Sequence, residues 1–205
     1  MKLILGGEAE VRIHDDFVEK LRVKKRYRIK ELDDAIRKRR TVSEARIISN
    51  ARRHGVPTPI IFDVGDCRIV MERIDGEPVR NVINRKIAYE IGKNVAKLHS
   101  AGIIHGDLTP MNMILKDGRI YFIDFGLAYY DERVEAKGVD IHVFYEALKA
   151  DFENWNELWE GFLEGYSQYE KFEPVIERFR DIEMRGRYVD RSENEFKEIK
   201  SKYSG

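Results

Sequence analysis

The sequence predicts an α+β chain in two lobes, a small N-terminal lobe rich in strands and a helical C-terminal lobe. Three observations lead there. The first third holds short β-branched and aliphatic runs separated by turn residues. The stretch beyond residue 139 follows a helical pattern. Between them lies "HGDLTPMN", residues 105–112, which suits neither a helix nor a strand and is followed at once by a hairpin signal.

Taken in order, "KLILGGEAEVRI" and "FVEKLRV" read as strands bounded by "GG" and "HDD". A helix is predicted over roughly 31–53, stopping before Gly55 with "VPTP" beyond it. "IIFDVGDCRIVME" reads as two strands around the turn "GD". In "NRKIAYEIGKNVAKLHSAG", Ile87, Ile91, Val95 and Leu98 fall at helical spacing, closed by Gly102. Asp117-Gly118 inside "MILKDGRIYFIDFG" signals a two-residue hairpin. Residues equidistant from that turn then face each other, which puts Asn112 opposite Ile123 and beside Asp124. The later helical region, to about 183, carries Trp155, Leu158, Trp159 and Phe162 as a core stripe. These elements divide into an N-lobe over 1–75, joined near "MERIDGEP" to a C-lobe over 76–190, and a polar tail over 191–205.

Composition narrows the class. At 205 residues with 42% hydrophobic content the chain can bury a sizeable core. Charged residues reach 36%, above the common ~25%, as in many ion-pair-rich thermophile proteins. The single cysteine, Cys67, excludes an internal disulfide and a thiolate zinc site, and favours a reducing, cytoplasmic setting. No apolar run approaches the ~18 residues of a membrane span, and no signal peptide opens the chain. Net charge is zero but unevenly spread. Lys20 to Arg53 holds 14 Lys/Arg against 4 Asp/Glu, and Asp131 to Glu183 holds 6 against 15. Two solvated faces of opposite sign would look like this. So would a cationic N-lobe that meets an anionic partner such as RNA.

The central stretch carries the chemistry. Asn112 and Asp124 supply an amide oxygen and a carboxylate, hard ligands suited to Mg²⁺ that takes its remaining ligands from water and phosphates. Asp107 precedes them on a loop that Pro110 keeps out of helix. A carboxylate near such a metal can accept a proton from an attacking hydroxyl or orient a water. The set suits phosphoryl transfer from a nucleotide, where positioning and charge neutralisation do most of the work.

"HGDLTPMN" with "IDFG" resembles the catalytic loop and metal-binding triplet of the protein-kinase superfamily. The resemblance implies a bilobal kinase-like fold that binds ATP and Mg²⁺. It makes Lys20 in "FVEK" the α/β-phosphate lysine and Glu44 its helix partner, although Thr41-x-x-Glu44 is also a capping box. "GGEAEV" takes the place of the glycine-rich loop through Gly6 and Gly7, without the full G-x-G-x-x-G pattern. Val11 and Val18 would face the adenine, Met71 would be the gatekeeper, and backbone groups of Glu72 and Ile74 would bond the base. Asp140 would hold the catalytic loop, though a helix cap also fits it.

Two departures matter. The loop reads "HGD" where most protein kinases have "HRD", and only 11 residues separate Gly126 from Gly138, with no "APE" and no Ser or Thr in "LAYYDERVEAK". The activation segment is shortened, and the usual peptide-substrate platform is absent or very short. These departures, with "RRTVSEAR", "IDFGLAYYDERVEAKGVD" and "MRGRYV", resemble the small p53-related protein kinase family, the atypical kinase/ATPase subunit of the KEOPS complex. The resemblance runs to about residue 190. It implies an assembly that installs threonylcarbamoyl on tRNA, with a carbamoyl-transferring catalytic subunit and a small regulatory subunit as partners. RIO kinases share "HGDL…N" but generally lack the glycine of "DFG", so Gly126 argues against them. A nucleotide-sensing scaffold that grips tRNA through the basic N-lobe is a second reading, and a small-molecule phosphotransferase a third.

Overall fold

The computed structural model describes residues 2–185. Past Arg185, the "GRYV" of the "MRGRYV" motif and the predicted tail over 191–205 lie outside the described residues. Strands β1 (Lys2–Leu5), β2 (Ala9–Ile13), β3 (Phe17–Arg22), β4 (Ile61–Val64) and β5 (Arg68–Glu72) form one antiparallel sheet in the order β1-β2-β3-β5-β4. Helix α1 (Lys30–Arg53) lies between β3 and β4 in the chain. Its first turn carries Glu31 and Asp33 and its last Arg52 and Arg53, the arrangement a helix dipole favours. It buries Thr41, Glu44, Ala45, Ile47, Ile48 and Ala51. The capping-box alternative for Glu44 is overturned, because Thr41 sits mid-helix and its hydroxyl donates to the Arg37 carbonyl at 2.8 Å.

Next come β6 (Glu77–Pro78), α2 (Val79–Val82), α3 (Arg85–Ser100) and β7 (Ile103–Ile104). The Asn84 side chain caps α3 by accepting from the Ile87 N–H at 3.0 Å. A single 3-10 turn over Pro110–Asn112 leads into β8 (Met113–Lys116) and β9 (Arg119–Phe122), paired antiparallel with Met113 opposite Phe122. Asp117 (φ 48°) and Gly118 (φ 72°) both take left-handed backbone, as the tightest hairpin turn requires. The turn is the predicted one, and the Ile123 N–H donates to the Asn112 carbonyl at 3.0 Å.

The short strand β10 (Tyr129–Tyr130) pairs with β7, and α4 (Val134–Asp151) and α5 (Trp155–Tyr166) follow. The single helical region expected beyond 139 is corrected. It starts earlier, at Val134, and is broken. Phe152 leaves helical backbone (φ −134°, ψ 127°) and packs against the core, and a last helix occupies 172–185. The predicted stripe holds: Leu158 and Phe162 are fully buried and Trp155 and Trp159 pack against them. Where α3 and α5 cross, a Cβ at Gly165 would overlap the Tyr89 carbonyl, so the helices meet backbone to backbone.

Candidate active site

Strand β3 sets the site by its alternation. Val18, Lys20 and Arg22 share one face of the sheet. Directly paired residues share a face too, so Val11 (opposite Lys20) and Met71 (opposite Val18) join them. Lys20 is 8% exposed and Met71 4%. Lys20 Nζ donates to Glu44 Oε1 and to Asp124 Oδ1, each at 2.7 Å. Burial alone would depress the Lys20 ammonium, but Glu44 and Asp124 together hold it above its ordinary value. Arg22 was missed in the sequence. Its Nη2 meets the second Glu44 oxygen at 2.5 Å, so one buried carboxylate serves two cations. The signal was available, since Arg22 lies two residues beyond Lys20 on the same strand face.

The hairpin brings the other half. Asn112 Nδ2 donates to the Asp107 carbonyl and to Asp107 Oδ2, each at 2.9 Å, which turns its amide oxygen away from Asp107. Asp124 Oδ1 accepts from Lys20 and, at 2.9 Å, from the Gly126 N–H. Burial pushes the Asp124 carboxyl up, but the Lys20 charge and these hydrogen bonds bring it below its ordinary value, so it is ionised at neutral pH. An ionised carboxylate and a free amide oxygen are a donor set that fits Mg²⁺ with bound phosphates. Among the described residues no group of three or more His, Cys, Asp or Glu gathers as a metal site, so a divalent ion here would draw on Asp124, on Asn112 and on its nucleotide.

Asp140 fixes the loop that carries Asp107. It lies inside α4, which overturns the helix-cap alternative. Its oxygens accept the His105 N–H at 2.9 Å and the Gly106 N–H at 2.8 Å, and His99 Nε2 lies 3.2 Å away. Tyr166 in turn bonds His99 Nδ1 at 2.7 Å, a buried relay that no sequence pattern had pointed to. Burial pushes the Asp140 carboxyl up, and the hydrogen bonds from His99 and the His105 N–H outweigh it and hold it below its ordinary value. Gly106 explains "HGD". Its φ is +77°, and a Cβ there would sit 2.5 Å from the Leu127 carbonyl. The segment after Gly126 occupies the room that a side chain at this position would need.

Other expected contacts are placed less closely. Gly6 and Gly7 form the β1–β2 turn, where the Gly6 N–H donates to Ala9 O at 2.9 Å and Lys25 Nζ donates to the Gly7 carbonyl. No hydrogen bond among the described residues ties them to Lys20, Asp107 or Asp124. The Glu72 N–H is committed to Ile60 O at 2.8 Å, while the Ile60 N–H turns to the Glu72 carboxylate. Of the Glu72 backbone groups, only the carbonyl is therefore on offer to a base. Ile74 is buried at 7% exposure.

His105 gives a pH test. It is fully buried against Phe122 and Phe125, and burial lowers its basicity despite the nearby Asp140, Asp124 and Asp107. The unfolded chain binds a proton at this residue below about pH 6.5 that the folded chain refuses. Stability is then flat above that pH and falls by up to about 1.4 kcal/mol per unit below it. His105→Phe should remove this component of the slope, read as the difference between two urea-unfolding series. Parallel series would sink the assignment.

Comparison with known proteins follows the same lines. A RIO-domain family model matches residues 9–156. A protein of Archaeoglobus fulgidus, a probable serine/threonine-protein kinase BUD32 homolog, is 60% identical over 191 residues, covering 93% of this chain and 98% of that one. The KEOPS complex subunit Bud32 of Pyrococcus abyssi is 42% identical, covering 94% and 98%. A probable bifunctional tRNA threonylcarbamoyladenosine biosynthesis protein of Methanocorpusculum labreanum is 48% identical, and the chain spans only 35% of its length. In three dimensions the chain is similar to a Rio2 kinase–ADP/Mg²⁺–phosphoaspartate complex from Chaetomium thermophilum, with TM-score 0.64 and 15% identity over 88% of this chain and 69% of that one. The use of Gly126 to set the chain apart from RIO proteins is corrected at the level of the domain. The RIO-domain match, residues 9–156, runs through both "HGDLTPMN" and "IDFG". The chain belongs to the Bud32 family of RIO-domain kinases.

Proposed function

We propose that the chain is a Mg²⁺-ATP-dependent atypical Ser/Thr kinase and ATPase that works as a subunit of the machinery making threonylcarbamoyladenosine in tRNA. The observation that carries this is the convergence of two chain segments. Lys20 bridges Glu44 and Asp124, and the hairpin sets Asn112, which bonds Asp107, against Ile123, the neighbour of Asp124. Lys20 binds the α/β-phosphates, and Glu44 holds it. Asn112 and Asp124 hold the metal, which neutralises phosphate charge when bound. Asp107 takes the proton of the attacking hydroxyl or orients a water. Gly6, Gly7, Val11, Val18, Met71, Glu72 and Ile74 frame the nucleotide.

The Pyrococcus relative, by name a KEOPS subunit, supports the assembly. The bifunctional relative supports it too, since a region like this chain forms about a third of a protein named for that modification. The carbamoyl-transferring subunit and a small regulatory subunit are the proposed partners, tRNA meets the basic N-lobe, and the setting is cytoplasmic. Among the described residues no helix is long and apolar enough to cross a membrane.

Phosphate release from ATP by the purified chain, with Mg²⁺, with chelator, and then with tRNA and partner subunits, tests the reading. Turnover that needs Mg²⁺ is expected. Asp124→Ala should weaken Mg²⁺-ATP binding by about tenfold or more and leave binding in chelator little changed. Metal-independent binding in the wild type would count against the site.

A further inference from the structure

Helix α1 carries a row of cations outside the site described above. Arg39, Arg46 and Arg53 recur every seven residues, on one side of the helix and about 10 Å apart. All three are exposed, and none forms an ion pair among the described residues. Their neighbours behave differently: Arg37 pairs with Asp33 and Asp34, Lys38 with Asp66, and Arg40 with Glu8. In a chain so rich in internal ion pairs, three aligned arginines without a carboxylate point outward to an anionic partner.

Two of them face a built groove. Arg46 and Arg53 line a groove of about 750 Å³ together with Ser49, Asn50 and Tyr130, over an apolar floor that includes Ile61. No Asp or Glu lines it. Tyr130 is 54% exposed, and its hydroxyl accepts from Asn50 Nδ2 at 3.0 Å, which pins the ring to the helix. Arginine forks match phosphate oxygens, and an exposed aromatic face in a cationic groove is a platform for a base. Side-chain donors from Ser49 and Asn50 add polar contacts that a base or sugar can use. An acidic protein segment would answer the arginines but would make no use of the ring.

We propose that the groove between α1, β4 and Tyr130 is a track for a single-stranded segment of RNA. Phosphates lie on Arg46 and Arg53, Arg39 continues the path, and one base stacks on Tyr130. The proposal rests on the reading above only in taking RNA as the partner, and it needs no nucleotide turnover.

The test is fluorescence anisotropy of the full chain with a labelled single-stranded RNA oligonucleotide across a salt series. For a single strand, each phosphate contact removed lowers the slope of log affinity against log salt by about 0.7, so Arg46→Gln with Arg53→Gln should lower it by about 1.4. Tyr130→Ala should weaken binding at least about fivefold and leave the slope unchanged. Thermal melts of the variants, all at exposed positions, check that the fold persists. Wild-type affinity and slope in the double variant would overturn the proposal. So would displacement of the RNA by polyglutamate of equal length at equal concentration, which would mark the groove as a protein-binding face. A chain that fails to turn over ATP yet shows these slopes would sink the kinase reading and leave this one standing.

Discussion

Asp107→Ala should lower ATP turnover by about 10²–10⁴-fold, the range that a positioned general base contributes, with the fold intact. The catalytic loop is pinned from behind by Asp140, through the His105 and Gly106 N–H groups, and Asp107 takes no part in that anchor. Asp107 is exposed, so its loss leaves no cavity and no buried orphan, and stability should move by no more than about 0.5 kcal/mol. The one contact sacrificed is the Asn112 Nδ2 bond to Oδ2, while the bond to the Asp107 carbonyl survives and keeps Asn112 in place. Nucleotide affinity should therefore hold while turnover falls. Phosphate release under saturating Mg²⁺-ATP, alongside a thermal melt, reads both halves. Turnover equal to the wild type would remove Asp107 from the mechanism.

Glu44→Ala should do the opposite and damage structure and nucleotide binding together. Glu44 is 2% exposed and answers both Lys20 and Arg22, themselves 8% and 5% exposed. Removing it leaves Arg22 buried without a carboxylate and Lys20 with Asp124 alone. Breaking a buried pair by deleting one partner costs about 3–5 kcal/mol, because the remaining charge is uncompensated. A lower urea midpoint at unchanged m-value would report that cost. Mg²⁺-ATP affinity should fall as well, since Lys20 loses the partner that aims it. Glu44→Gln, which keeps an acceptor but not the charge, should recover part of the stability. A midpoint unchanged in Glu44→Ala would show that the triad is not coupled as drawn.

Local chemistry made much of the fold readable in advance. Asp117-Gly118 admits one tight turn, and that turn alone sets the register that carries Asn112 to Ile123 and its neighbour Asp124. The spacing of Ile87, Ile91, Val95 and Leu98 selects a helix because burying one stripe requires it. The order of "HGDLTPMN" and "IDFG" then places Asp107 and Asn112 before one hairpin and Asp124 after it. All of these depend on residues close in sequence, so the sequence by itself determined them.

The joining of distant segments belonged to tertiary structure. Thr41-x-x-Glu44 serves equally as a cap or as part of a helix interior, and only the packing of α1 against the sheet turns Glu44 toward Lys20 and Arg22. Asp140 could have capped a helix until α4 was seen to start at Val134 and bury it beneath the catalytic loop. The break at Phe152 was hidden because a side chain wanted by a distant core can override a helical pattern. The glycine in "HGD" looked like a missing arginine until the Leu127 carbonyl was found in the space a side chain would fill. Burial and close approach are properties of surfaces brought together from far along the chain, and no window of neighbouring residues contains them.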